Sequence, residues 1–157
     1  MPAIKQEISA LANAKCAAEM QRYFKTGKGE YGEGDKFLGL TVGQQREIAK
    51  RNGGIALQKL VPLMKSRIHE ERLVAILILV EKFARADEKE KKEIFDFYFE
   101  NIGGVNNWDL VDLSAPKIVG AYLLGRNRAL LQRLAESQSI WERRIAVLAT
   151  FAFIKKG

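Results

Sequence analysis

One cysteine in 157 residues leaves no partner for an internal disulfide, and Cys16 sits among Ala14, Ala17 and Ala18 as a small packed side chain would. That usage predicts a reducing compartment. No apolar run approaches the ~18 residues a membrane span needs, and the first residues carry no signal-peptide pattern, so the expected location is the cytoplasm. The single histidine, His69, has no second His or Cys near it, which leaves no metal-ligand spacing. No Ser-His-Asp arrangement is present, and strand signals are nearly absent.

What is present is helical. Hydrophobic residues make up 47% and charged residues 29%, an ordinary composition for one folded domain over residues 1–157. The formal net charge of +7 favours a polyanionic partner, nucleic acid first. Ile4, Ile8 and Leu11 mark a short first helix, and Asn13 is placed to cap a second that carries Ala17, Met20, Tyr23 and Phe24. A glycine-rich loop, 26–39, follows. Thr41 and Gln44 form a capping-box pattern that opens the next helix, which ends near Asn52-Gly53-Gly54. Further helices are expected over Ile55–Lys65, His69–Arg85, Lys89–Asn101, Asn107–Leu124, Arg128–Ser137 and Ile140–Lys155. Short connections predict that neighbours in sequence pack antiparallel.

Three of these helices open alike, at His69-Glu70-Glu71-Arg72-Leu73, Trp108-Asp109-Leu110-Val111-Asp112 and Trp141-Glu142-Arg143-Arg144-Ile145. Their first residues, at positions 69, 108 and 141, stand 39 and then 33 positions apart, a recurrence that predicts an all-α superhelix of antiparallel helix pairs, a HEAT-like α-solenoid. In that alignment Asp112 takes the column that Leu73 and Ile145 fill with hydrophobes. A carboxylate there calls for a cavity, a cationic partner, or both.

Asp112 also sits at a break. Pro116 has no N–H for the carbonyl four residues back, which is that of Asp112, so the helix is expected to bend at its acid. Trp108 lies one turn earlier on the same face, and an indole beside a carboxylate suits a group that is flat and cationic, or becoming so. Asp109 is read as a first-turn carboxylate favoured by the helix dipole.

Other features have plainer readings. Gly27-x-Gly29-x-x-Gly32 matches the letters of a dinucleotide fingerprint, but it follows a helix, and Glu30, Glu33 and Asp35 would repel a pyrophosphate. A structured turn packing Tyr31 and Phe37 fits better. Lys89, Lys91 and Lys92 alternate with acids, as a solvated helix face does. Arg143 and Arg144 are adjacent and cannot share a face. One of them can reach a phosphate or a carboxylate.

Together, Tyr23-Phe24-Lys25-Thr26-Gly27, Glu30-Tyr31-Gly32-Glu33-Gly34-Asp35, Phe37-Leu38-Gly39, Asn107-Trp108-Asp109-Leu110-Val111-Asp112 and Trp141-Glu142-Arg143-Arg144 resemble the AlkD-like family of DNA alkylation repair glycosylases. The resemblance spans essentially the whole chain. It implies HEAT-like repeats, a basic concave face for duplex DNA, and release of purines alkylated at N3 or N7 with no metal and no cofactor. It implies Asp112 as the catalytic acid, with Trp108 as its aromatic partner. It also implies Arg144 as a phosphate contact, and Tyr23, in an Arg-Tyr-x-Lys pattern, as a DNA-facing aromatic. Trp141 and Arg143 complete the candidate DNA contacts. Relative to the family, the chain looks C-terminally truncated, lacking repeats that carry another DNA-facing tryptophan. The expected partner is double-stranded DNA carrying alkylated purines, met by a monomer. Two other readings stay open: a non-catalytic HEAT-like DNA-binding module, and a protein-binding α-solenoid scaffold.

Overall fold

A computed structural model describes residues 3–154. Among these there are helices and turns but no strand, and one isolated parallel bridge joins Lys36 to Ile68. The all-α class predicted by the periodicity is the class observed. No described helix is long and apolar enough to cross a membrane. The chain divides into two compact units, Met1–Ile78 and Leu79–Gly157.

The first unit opens with α1 (Ala3–Ala10), α2 (Ala14–Tyr23) and α3 (Val42–Arg51). Ile4 and Ile8 of α1 are buried, one turn apart as the pattern requires. Asn13 caps α2 by accepting from the Cys16 amide at 3.1 Å. Thr41 and Gln44 complete the expected capping box at the start of α3. The continuous helix expected over Ile55–Lys65 does not form. Pro62 cannot donate to the carbonyl of Gln58, so the segment splits into a 3₁₀ turn, Leu57–Leu60, and a short α4, Val61–Met64. Cys16, expected to be buried, is only partly so.

The glycine-rich loop is ordered by its own acids. Glu30 accepts from the Gly27 amide and Glu33 from the Gly29 amide, each at 2.8 Å. Amides that a phosphate would need are therefore already bonded, which explains why acids and glycines alternate here. Phe37 packs as expected, but Tyr31 stays exposed. The loop is tied to α5 (His69–Arg85), whose residues from Leu73 to Leu79 are all buried. The His69 ring stacks on Phe37 with centroids 4.6 Å apart. Its Nδ1 lies 3.3 Å from an Asp35 oxygen, while Arg72 donates to the other Asp35 oxygen at 2.7 Å.

Glu70 is wholly buried, and its carboxylate accepts from the amides of Leu38 (3.0 Å), Gly39 (2.8 Å) and Leu40 (3.3 Å). Gly39 has φ of +89°, and a Cβ there would stand 2.2 Å from the Asn13 carbonyl oxygen. Neutralising the acceptor without changing its shape weakens three charge-assisted bonds together. Glu70→Gln should lower stability by about 1–2 kcal/mol in denaturant titration.

The second unit holds α6 (Glu88–Glu100), α7 (Trp108–Ser114), α8 (Ala121–Leu123), α9 (Ala129–Ala135), α10 (Ile140–Ala149) and α11 (Phe151–Ile154). Asp87, unremarked in the sequence, caps α6 through a capping box with Glu90. The last helix was expected to run unbroken to Lys155, a residue outside those described. It is interrupted at Thr150, whose amide and hydroxyl both donate to the Val147 carbonyl. α7 and α9 both pack on α10.

Candidate active site

The site grows out of the start of α7. Asn107, fully buried, caps the helix by accepting from the Trp108 amide at 2.8 Å, and Asp109 accepts from the Leu110 amide at 2.8 Å. Leu110 and Val111 turn into the core. Trp108 and Asp112, four residues apart, occupy one face and are both partly exposed.

Pro116 acts one turn later than expected. Instead of a kink at Asp112, the chain widens into a π turn over Ala115–Gly120, in which the Ala121 amide reaches the Pro116 carbonyl five residues back. Widening the turn accommodates the missing N–H and keeps α7 regular through Ser114. A buried pair steadies that junction. The Ser114 hydroxyl donates to the Leu110 carbonyl at 2.6 Å, so its 2.9 Å contact with Tyr98 is one in which the phenol donates. Burial pushes the Tyr98 phenol well above its usual pKa, so it keeps that proton. No sequence signal marked Tyr98, because its partner lies on a different helix.

The cationic partner sought for Asp112 is Arg144 of α10. Nε donates to one carboxylate oxygen and Nη2 to the other, each at 2.8 Å, in a side-on bidentate pair. Hydrogen bonding to Asp112 raises the Arg144 pKa above its ordinary value against an opposing desolvation. Asp112 is less enclosed than its repeat column suggested. Its side chain is 33% exposed and that of Arg144 40%, whereas Leu73 and Ile145 are buried. With one cation to pair it, the carboxylate stays at the solvent margin, where water completes its solvation.

Arg143 points elsewhere, as adjacent helix residues must. Its Nη1 donates to the carbonyls of Ser137 (2.7 Å) and Gln138 (3.0 Å) and closes the turn after α9. Trp141 lies one turn before Arg144 and is partly exposed. The fold thus joins Asp112 to Arg144 and sets a tryptophan one turn before each. Tyr23 is the last residue of α2 in the first unit, 67% exposed, with its ring edge-on to Phe24. Among the described residues, no group of three or more His, Cys, Asp or Glu side chains could hold a metal ion.

Fold and site define an all-helical protein whose second unit presents an ion-paired carboxylate with a tryptophan one turn away. A family model described as DNA alkylation repair enzyme matches residues 4–157, and the chain belongs to that family. Comparison with curated proteins gives no match. Membership makes DNA repair the role of the protein and DNA its substrate.

Proposed function

We infer that the protein is an alkylpurine DNA glycosylase of the AlkD-like kind, hydrolysing the N-glycosidic bond of purines alkylated at N3 or N7 in duplex DNA. The observation that carries this reading is Asp112. It is a carboxylate fixed through both oxygens, still open to solvent, with Trp108 one turn away on the same helix face.

Alkylation at N3 or N7 puts positive charge on the base and makes it a good leaving group. Breaking the bond to C1′ leaves an oxocarbenium-like sugar. A preorganised carboxylate stabilises that developing cation and orients or deprotonates the attacking water. Trp108 offers an indole face to the cationic base or sugar, an attraction of about 0.5–2 kcal/mol. A cationic lesion supplies much of the driving force itself, so the reaction does not require the tight pocket of enzymes that flip their base fully. Arg144, Arg143, Tyr23 and Trp141 are the proposed DNA contacts.

The test is release of 7-methylguanine from methylated duplex DNA. Release by the 157-residue chain supports the glycosylase. Salt-sensitive duplex binding without release would instead favour a non-catalytic DNA-binding module, and binding of neither kind a protein scaffold. Arg144→Ala should weaken duplex binding and reduce the slope of log K against log salt by about one phosphate's worth. An unchanged slope would remove Arg144 from the phosphate contacts.

A further inference from the structure

Among the described residues, Lys25 is the one non-glycine with a left-handed backbone, at φ of +50°. It closes α2. The Lys25 amide donates to the Arg22 carbonyl at 3.2 Å and the Thr26 amide to the Gln21 carbonyl at 3.3 Å. That nested pair of bonds ends a helix in a Schellman turn, whose left-handed position usually goes to glycine because a Cβ there crowds the backbone. Glycine fills the other left-handed positions, at Gly29, Gly34, Gly39 and Gly125. The turn does not need the lysine side chain. The carbonyls of Met20, Gln21 and Arg22 accept from the amides of Phe24, Thr26 and Lys25, so the end of α2 is capped without an ammonium. Nor does an acid claim the charge. Glu30 and Glu33 bond the Gly27 and Gly29 amides, and Asp35 is buried against Arg72. Lys25 is exposed and makes no ion pair with a described residue, and the same holds for Arg22, Lys28 and Lys36 around it in sequence.

We propose that Lys25 is a DNA backbone contact, kept in a strained turn because a side chain there brings an ammonium to a phosphate from the end of α2. The proposal rests on DNA as the substrate and not on the glycosylase reaction. Strained backbone positions persist where the residue serves a purpose that an unstrained residue cannot. Glycine would make the same turn more easily, and asparagine, which tolerates this conformation, would make it without charge. Neither supplies a cation. The turn fixes where the stem leaves the backbone, and the flexible stem lets a point charge meet a phosphate without reading sequence.

Lys25→Gly should move stability and binding in opposite directions. Its melting temperature should rise by about 2–4 °C as the strain is relieved. Its affinity for an unmodified duplex at low salt should fall about three- to tenfold, with the slope of log K against log salt reduced by about one. Lys25→Asn should bind as weakly as Lys25→Gly. Lys25→Arg keeps the charge and should bind within about twofold of wild type at an unchanged slope. Wild-type affinity and slope in Lys25→Gly would overturn the proposal. So would a Lys25→Arg that binds as weakly as Lys25→Gly, because the lysine would then serve shape and not charge. A Lys25→Gly that melts below wild type would also overturn it, since the side chain would then be holding the turn. Reading binding on unmodified duplex keeps this test apart from base release. A wild type that binds duplex but releases no base would overturn the glycosylase reading, and the salt slopes would still decide Lys25. A wild type that binds no duplex would overturn the proposal.

Discussion

Asp112→Asn should reduce release of 7-methylguanine by at least about 100-fold while leaving the protein folded. The substitution changes charge and almost nothing else. Asparagine fills the same volume and can still accept one hydrogen bond from Arg144. Under the proposed glycosylase reaction, what disappears is the negative charge that would face the sugar as it becomes cationic. Removing a preorganised group of this kind from a transition state costs on the order of 10²–10³ in rate. The stability cost is small by comparison. Both partners are at least one-third exposed, and ion pairs at such positions contribute about 0–1 kcal/mol. The two effects separate cleanly when base release is measured beside a melting curve. A variant that melts like wild type and still releases base at the wild-type rate would remove Asp112 from the chemistry. A variant that has lost both rate and melting transition would mean that the pair chiefly holds α7 to α10.

Much of the fold was legible because its signals are local. Asn13 and the Thr41–Gln44 box act within a turn of where they stand, and they cap the helices they were expected to cap. Two equally local signals break helices that hydrophobic periodicity alone extends. Pro62 forbids a helix across Ile55–Lys65 by the same argument that was applied to Pro116. Thr150 breaks the last helix through a hydroxyl that competes for a backbone carbonyl. At the site, the repeat alignment pointed to a cation for Asp112 but could not choose it, since 32 residues separate the two in sequence. The first unit hid its polar centre for the same reason. Asp35, His69 and Arg72 look like loop and helix-start charges, and only folding brings them together. A relation emerges that neither column showed alone: Arg72 and Arg144 occupy equivalent positions in the repeat, and each binds a carboxylate. In the first unit that pair is buried and serves packing. In the second it stands at the surface, where it can meet a substrate.

Gly120→Ala should strongly destabilise the second unit. Gly120 ends the π turn, and its φ of −62° suits any residue, so the constraint is contact and not conformation. A Cβ there would lie 2.1 Å from the Ala149 carbonyl oxygen and 2.8 Å from the Ala152 Cβ. The first of these is backbone and cannot rotate away. Inserting the methyl must drive the π turn from the end of α10. Overpacking typically costs 1–3 kcal/mol, and a clash with backbone belongs at or above the upper end, so a loss of about 3 kcal/mol or more is expected. For a chain of this size that lowers the melting temperature by roughly 6–12 °C. Gly103→Ala supplies the control, because its Cβ would meet nothing within 4 Å, and its melting temperature should hold or rise slightly. The functional consequence follows from where the displaced helix leads. α10 carries Arg144 and the π turn continues α7, so separating them pulls the guanidinium from Asp112. Base release by Gly120→Ala should therefore fall even at temperatures where the variant remains folded. Full activity in a folded but destabilised variant would show that the site does not depend on the close approach of these two elements.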